Sequence, residues 1–169
     1  DIWPNVYANG VVNNTYRNKV IVDLIIDKII PSGRPTLVVV QQIEHGNLLK
    51  NMLHEKGYDF DFTNGQLDKD QRNQSLEDFK DGKKQILIAS NILDEGIDIP
   101  KIACLVNVSG MKSFRIVVQR LGRTVRLSKQ FKEIHVFDFL DVFSYILGRQ
   151  SRERMRIYQE EGTNVLLNK

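Results

Sequence analysis

The runs Thr36-Leu37-Val38-Val39-Val40 and Ile86-Leu87-Ile88-Ala89-Ser90 carry apolar or β-branched side chains at almost every position. Successive side chains of a strand point to opposite faces, so a run without alternation has no face to give to water. Such strands belong inside a sheet covered on both sides, which means a mostly parallel sheet flanked by helices. Residues 102–108 and 134–140 extend the series, and residues 58–63 add a strand that alternates aromatic and acidic side chains. Helical signals lie between the strands. Residues 44–55 place Leu48, Leu49, Met52 and Leu53 on one face and stop at Gly57. Asp68 is placed to cap a helix running to Lys80, with Leu76 and Phe79 turned inward and Asp81-Gly82 closing it. Strands alternating with helices in this way specify an α/β fold of three layers.

The remaining segments fit around that sheet. Residues 1–15 mix Asn, Gly, Pro and aromatics and read as an irregular lead-in. Residues 16–30 carry Val20, Ile21, Leu24, Ile25 and Ile29 at helical spacing, and Pro31-Ser32-Gly33-Arg34-Pro35 then breaks the chain. Residues 113–122 and 142–161 read as further helices, the last of them polar. At 169 residues there is enough chain for one domain with a full core, without disulfide or metal staples. Apolar residues at 41% and charged residues at 27% exclude a disordered, solvating chain. The one cysteine, Cys104, sits in an apolar run and suggests a reducing compartment, cytoplasm or nucleus. No apolar stretch approaches the roughly 20 residues that span a bilayer. The chain opens Asp1-Ile2-Trp3-Pro4 and is expected to be a piece of something longer.

Charge is concentrated in one place. From Lys112 to Lys132 there are seven basic side chains and no acidic one, although the whole chain carries only +3. Within it, Gln119-Arg120-Leu121-Gly122-Arg123-Thr124-Val125-Arg126 sets three arginines three residues apart around a glycine. Guanidinium is planar and permanently charged, and it suits multi-oxygen anions such as phosphate. A solvated basic face explains scattered lysines better than it explains this spacing. A second stretch, residues 90–100, runs from a buried strand through Ser90 and Asn91 to Glu95-Gly96-Ile97-Asp98-Ile99-Pro100. Gly96 allows close approach of a ligand to the backbone, and Asp98 can accept hydrogen bonds from a sugar hydroxyl or an arginine. An ordinary strand-to-turn passage would look much the same.

Together these stretches resemble the ordered motifs of superfamily-two helicases. Residues 90–100 resemble motif V, and residues 119–126 match the motif VI pattern Gln-Arg-x-Gly-Arg-x-x-Arg at every defined position. Residues 36–42 resemble motif IV, and Gly65-Gln66 with Arg72, Phe79 and Gly82 is similar to the segment between. The resemblance covers residues 34–142 and implies a C-terminal RecA-like domain there. It leaves 1–33 as a lead-in and interdomain helix, and 143–169 as a helical extension. By position it implies that Arg123 and Arg126 are arginine fingers for the γ-phosphate of ATP, neutralising charge on the phosphoryl oxygens in the transition state. Gln119 would sense the nucleotide, Arg120 would pair with carboxylates of the partner domain, and Gly96 and Asp98 would line the nucleotide side of the cleft. Gln41, Gln42, Asn64, Gly65, Ser90 and Asn91 correspond to contacts on the nucleic-acid backbone, which position phosphate without reading sequence. The implied cofactor is ATP, with Mg²⁺ held by an N-terminal RecA-like domain of the same protein. Glu95 before Gly96 is closer in style to DNA repair and recombination helicases, so DNA unwinding or branch migration is expected. The alternatives are an RNA helicase half and a non-catalytic nucleic-acid-binding module that uses residues 112–132 as a phosphate clamp.

Several parts of such a machine are not in the sequence. There is no G-x-x-x-x-G-K-[ST] phosphate loop; Gly82-Lys83-Lys84 lacks the first glycine and the hydroxyl. Asp94-Glu95 lies inside the motif V-like string, where it reads as structural or as a contact to the partner domain. The chain alone is therefore expected not to hydrolyse ATP. His45, His54 and His135 have no metal-ligand spacing; the first two read as solvated and the third as packed. Trp3, Tyr7 and Tyr16 could stack on bases, but core or interdomain packing is the favoured reading. Arg149, Arg152, Arg154 and Arg156 on the last helix read as a solvated face, with phosphate contact as the alternative.

Overall fold

Three of the runs without alternation become the three inner strands of one parallel sheet. The computed structural model describes residues 2–90, 101–110 and 130–161. The strands are β1 (Thr36–Val40), β2 (Asp61–Thr63), β3 (Ile86–Ser90), β4 (Cys104–Asn107) and β5 (His135–Asp138), in the spatial order β2-β3-β1-β4-β5. Every residue of β1, β3 and β4 is buried. All four pairings are parallel. The strands at residues 58–63, 102–108 and 134–140 are shorter than the sequence suggests, and β5, at one edge, is only half-buried. His135 accordingly is not packed: its side chain is 43% exposed and pairs with Glu133.

Helices cover both faces. On one, α2 (Thr15–Leu24) and α4 (Ile43–Glu55) set Ile21, Val22, Leu49 and Leu53 against Val38, Val40, Ile88 and Val106. On the other, α5 (Lys69–Lys80) and the last helix, designated α6 (Tyr145–Glu160), set Leu76, Phe79 and Tyr158 against Leu37, Val39, Leu87 and Leu105. The helix expected over residues 16–30 is α2 followed by a π segment, Ile25–Ile29, and the short α3, Ile30–Ser32. Ile21, Ile25 and Ile29 recur every four residues, whereas an α-helix turns once per about 3.6. The wider π turn takes up that drift and keeps all three against the sheet. The helix expected over residues 113–122 lies outside the described residues.

One expectation is corrected. Within the lead-in expected to be irregular over residues 1–15, residues 2–12 are helical: α1 (Ile2–Tyr7) continues through a π segment, Ala8–Val12. Tyr7, Val11 and Val12 bury themselves with Leu147 of α6 in a small separate cluster. This packing across the chain outweighs a local composition unfavourable to helix.

The chain leaves β1 toward β2 and β3 on one side, and leaves β4 toward β5 on the other. Strand order therefore reverses between β1 and β4, and in open α/β sheets ligands gather at the carboxyl ends of strands near such a reversal.

Candidate functional site

Parallel pairing brings the carboxyl ends of the strands to one edge. Val40 is paired with Ser90 and Thr63 with Ala89, so Gln41-Gln42, Ser90 and Asn64-Gly65 emerge side by side from three neighbouring strands. Gln42 and Gly65 are exposed, Gln41 is half-buried, and Asn64 and Ser90 are buried. Asn64 Oδ1 accepts the Gln66 amide at 2.9 Å, an Asx turn that leaves Gly65 at the surface. Gln42 is the N-cap of α4 but makes no side-chain cap, so its amide is not spent on the helix end. The Ser90 hydroxyl is buried without a hydrogen-bond partner among the described residues. Five expected site residues thus share one rim. Asn91, Gly96, Asp98, Gln119, Arg120, Arg123 and Arg126 lie outside the described residues, as do Asp94 and Glu95.

Beside this rim, at the ends of β4 and β5, lies a buried polar network that the sequence reading missed. Arg154, 2% exposed, is its centre. Its Nε donates to Asp138 Oδ2 at 2.9 Å and its Nη2 to Asp138 Oδ1 at 3.0 Å. Its Nη1 donates to the Gly110 carbonyl at 2.6 Å. Asp138 also accepts from Asn107 Nδ2 at 3.0 Å and from the Tyr158 hydroxyl at 2.5 Å. From the opposite face Arg17, 5% exposed, donates through Nε and Nη2 to the two oxygens of Asp141, at 2.5 and 3.2 Å. Two arginines and two aspartates leave the set electrically neutral, the condition under which buried charges are tolerated. Arg154 is therefore neither a solvated nor a phosphate-contacting residue, whereas Arg149, Arg152 and Arg156 on the same helix are exposed.

His45 needs the same correction. It is fully buried, with Nε2 2.8 Å from Asn18 Oδ1, while Asn18 Nδ2 donates to the Val12 carbonyl at 2.8 Å. The amide orientation makes Nε2 the protonated nitrogen. Burial first, and then the nearby Arg17 charge, pushes the imidazole pKa down to about 3, so the ring is neutral. His54 is exposed beside Asp59, as expected. Among the aromatics, Tyr7 is a core anchor whose hydroxyl donates to the Ser109 carbonyl at 2.6 Å, and Tyr16 is exposed. Burial raises the Tyr7 pKa, which keeps that donor protonated.

The carboxylates of Asp138 and Asp141 are occupied by arginine, asparagine and tyrosine donors, which does not suit them to hold a divalent cation. Among the described residues no cluster of three or more His, Cys, Asp or Glu could hold a metal ion. Nor is any described helix long and apolar enough to cross a membrane.

Comparison with known proteins extends the picture to the residues outside the described set. The family model described as "Helicase conserved C-terminal domain" matches residues 17–128, more than half of the chain. ATP-dependent RNA helicase DBP10 of Eremothecium gossypii is 36% identical over 99 residues, 59% of this chain and 10% of that protein. ATP-dependent rRNA helicase RRP3 of Candida albicans is 26% identical over 141 residues, 83% of this chain and 26% of that protein. The chain thus spans about a quarter or less of these relatives. Among solved structures, T4 UvsW is similar with a TM-score of 0.68 and 25% identity, over 89% of this chain and 33% of that one. The C-terminal domain of the DEAD-box protein Dbp5 shares the fold with a TM-score of 0.63 at 22% identity, over 90% of this chain and 82% of that one.

Proposed function

The chain belongs to the family of conserved C-terminal helicase domains, within superfamily 2, and from that membership we propose that it is the second of two motor domains closing on ATP. The observation that carries this reading is the string Gln119-Arg120-x-Gly122-Arg123-x-x-Arg126, which falls inside the family match. In this reading Arg123 and Arg126 reach the γ-phosphate of a nucleotide bound mainly by the other domain, where their charge counts most as negative charge develops on the phosphoryl oxygens. Arg120 pairs with carboxylates across the cleft, Gln119 senses the nucleotide, and Gly96 and Asp98 line its ribose side. Mg²⁺ is held by the other domain.

Gln41, Gln42, Asn64, Gly65, Ser90 and Asn91 form the track for a nucleic-acid strand. The side-by-side emergence of the first five from β1, β2 and β3 supports this, because a strand-end rim of small and amide residues lets backbone phosphates approach closely. The nucleic acid is RNA. The 36% identity to an RNA helicase weighs more than the single residue Glu95 ahead of Gly96, which points toward DNA enzymes. A binding module without catalysis would need positive charge between residues 112 and 132 but not three arginines at this spacing, so the motor reading is preferred.

The test uses the polypeptide that joins this chain to its partner motor domain. Arg123→Ala should lower kcat for ATP hydrolysis by about 10³-fold or more, the scale of a lost arginine finger, with a far smaller change in ATP affinity. Single-stranded RNA should stimulate the unmodified protein more than DNA of the same sequence. Equal kcat in the variant would remove the reading of Arg123, and stronger stimulation by DNA would restore the DNA assignment.

A further inference from the structure

We propose that Tyr7 and Arg154 are positioning residues for ATP hydrolysis, holding the two consecutive carbonyls, Ser109 and Gly110, from which the arginine-bearing segment departs. This rests on the reading of Arg123 and Arg126 as groups of the ATP cleft. Those arginines follow Gly110 by thirteen and sixteen residues.

The two carbonyls are held from two directions. The Tyr7 hydroxyl, from α1, donates to Ser109 O at 2.6 Å, and Arg154 Nη1, from α6, donates to Gly110 O at 2.6 Å. Both side chains are buried, at 3% and 2% exposure. The Ser109 hydroxyl in turn donates to Asn107 Oδ1 at 2.6 Å, which ties the turn back to β4. Gly110 has φ +65°, a conformation that other residues adopt at a cost. Its surroundings are closed as well: a Cβ there would lie 3.2 Å from Asp141 Oδ2, 3.6 Å from Val11 and 3.7 Å from Arg17 Nη2.

Arg154 cannot easily swing away. Its Nε and Nη2 grip both oxygens of Asp138, and Nη2 also donates to Phe139 O at 3.0 Å. A planar guanidinium fixed at two nitrogens has its third aimed for it. The α6 guanidinium, itself fixed to the sheet edge at Asp138, thus sets the Gly110 carbonyl, while Tyr7 of α1 sets the carbonyl before it. A staple for stability alone would need no such convergence on one pair of carbonyls. A group acting in a transition state does need it, because a misplacement of about 1 Å can cost on the order of 100-fold in rate.

The experiment measures steady-state ATP hydrolysis and thermal unfolding in the polypeptide that joins this chain to its partner domain. Tyr7→Phe keeps the ring and loses only the bond to Ser109. Arg154→Lys keeps the charge and loses the fork. Ile29→Val, which removes one buried methyl at the amino-terminal side of the sheet, away from the carboxyl ends of the strands, is the control for stability. Tyr7→Phe should lower kcat by about tenfold, and Arg154→Lys by more, each with the ATP KM within about twofold, as expected for misplaced transition-state groups. Ile29→Val should leave kcat unchanged. If Tyr7→Phe and Arg154→Lys retain full kcat while Arg123→Ala loses it, the positioning role is overturned and the arginine-finger reading stands. If Ile29→Val lowers kcat as much as Tyr7→Phe, the bond is merely structural and the proposal is overturned as well. If Arg123→Ala itself has no effect, the failure lies in the ATP-cleft reading on which the proposal rests.

Discussion

His45 sits one turn ahead of Leu49 and two ahead of Leu53, on the buried stripe of α4. The same holds for Arg17 ahead of Ile21 on α2, and for Arg154 between Leu147 and Tyr158 on α6. A polar residue in register with an apolar stripe was the available signal for the buried network. His45 also makes stability depend on pH. Its folded pKa, about 3, lies below the ordinary 6.5, so between those values the unfolded chain takes up a proton that the folded chain does not. Stability from this group is therefore whole above the ordinary pKa and falls with acidification, by up to about 1.4 kcal/mol per pH unit. Urea unfolding at about pH 7 and about pH 5 should show a larger loss in the unmodified chain than in His45→Gln, which retains a donor for Asn18. Identical losses would contradict the buried neutral ring. Arg154→Ala strands Asp138 and should cost about 3–5 kcal/mol by the same unfolding measurement.

Elements were the most legible level. The unalternated runs gave β1, β3 and β4 because strands buried on both faces leave no polar positions to misread. Asp68 caps α5 as expected: its carboxylate accepts the Gln71 amide at 2.8 Å, and the Gln71 side chain returns to the Asp68 amide. Asp68→Ala should cost about 1 kcal/mol in thermal or urea unfolding, a typical value for a lost cap. Gly46 was not singled out, yet a Cβ at that position of α4 would run into the ring of Phe62 on β2. Gly46→Ala should therefore destabilise by about 1–3 kcal/mol, an overpacking cost, despite the better helix propensity of alanine. A gain in stability there would mean that α4 and β2 are less tightly packed than described. Such a close approach depends on two elements at once, and neither segment alone reports it. The same limit applies to α1, whose partner Leu147 lies far away in the sequence.

At the scale of the molecule, motif order carried more than any single residue. The spacing at residues 119–126 and the strings around Ser90 pointed to the helicase family, and the family match over residues 17–128 agrees with them. The choice of nucleic acid rested on one residue, Glu95, and the similarity to RNA helicases outweighs it. Burial of Arg17 and Arg154 has a signal in the sequence, but their partners around Gly110 do not, because these come from α1, β4, β5 and the turns that follow; Tyr7 and Ser109 alone are 102 positions apart. The network joins the terminal helices to the strand end from which the arginines proposed for the ATP cleft follow in the chain. The central claim is that this chain supplies one wall of that cleft. It is tested most directly by assaying purified residues 1–169 for ATP hydrolysis with and without single-stranded RNA, alone and then joined to a partner RecA-like domain that carries a phosphate loop. The account predicts no RNA-stimulated turnover by the chain alone and its appearance on joining. RNA-stimulated turnover by the isolated chain would contradict it.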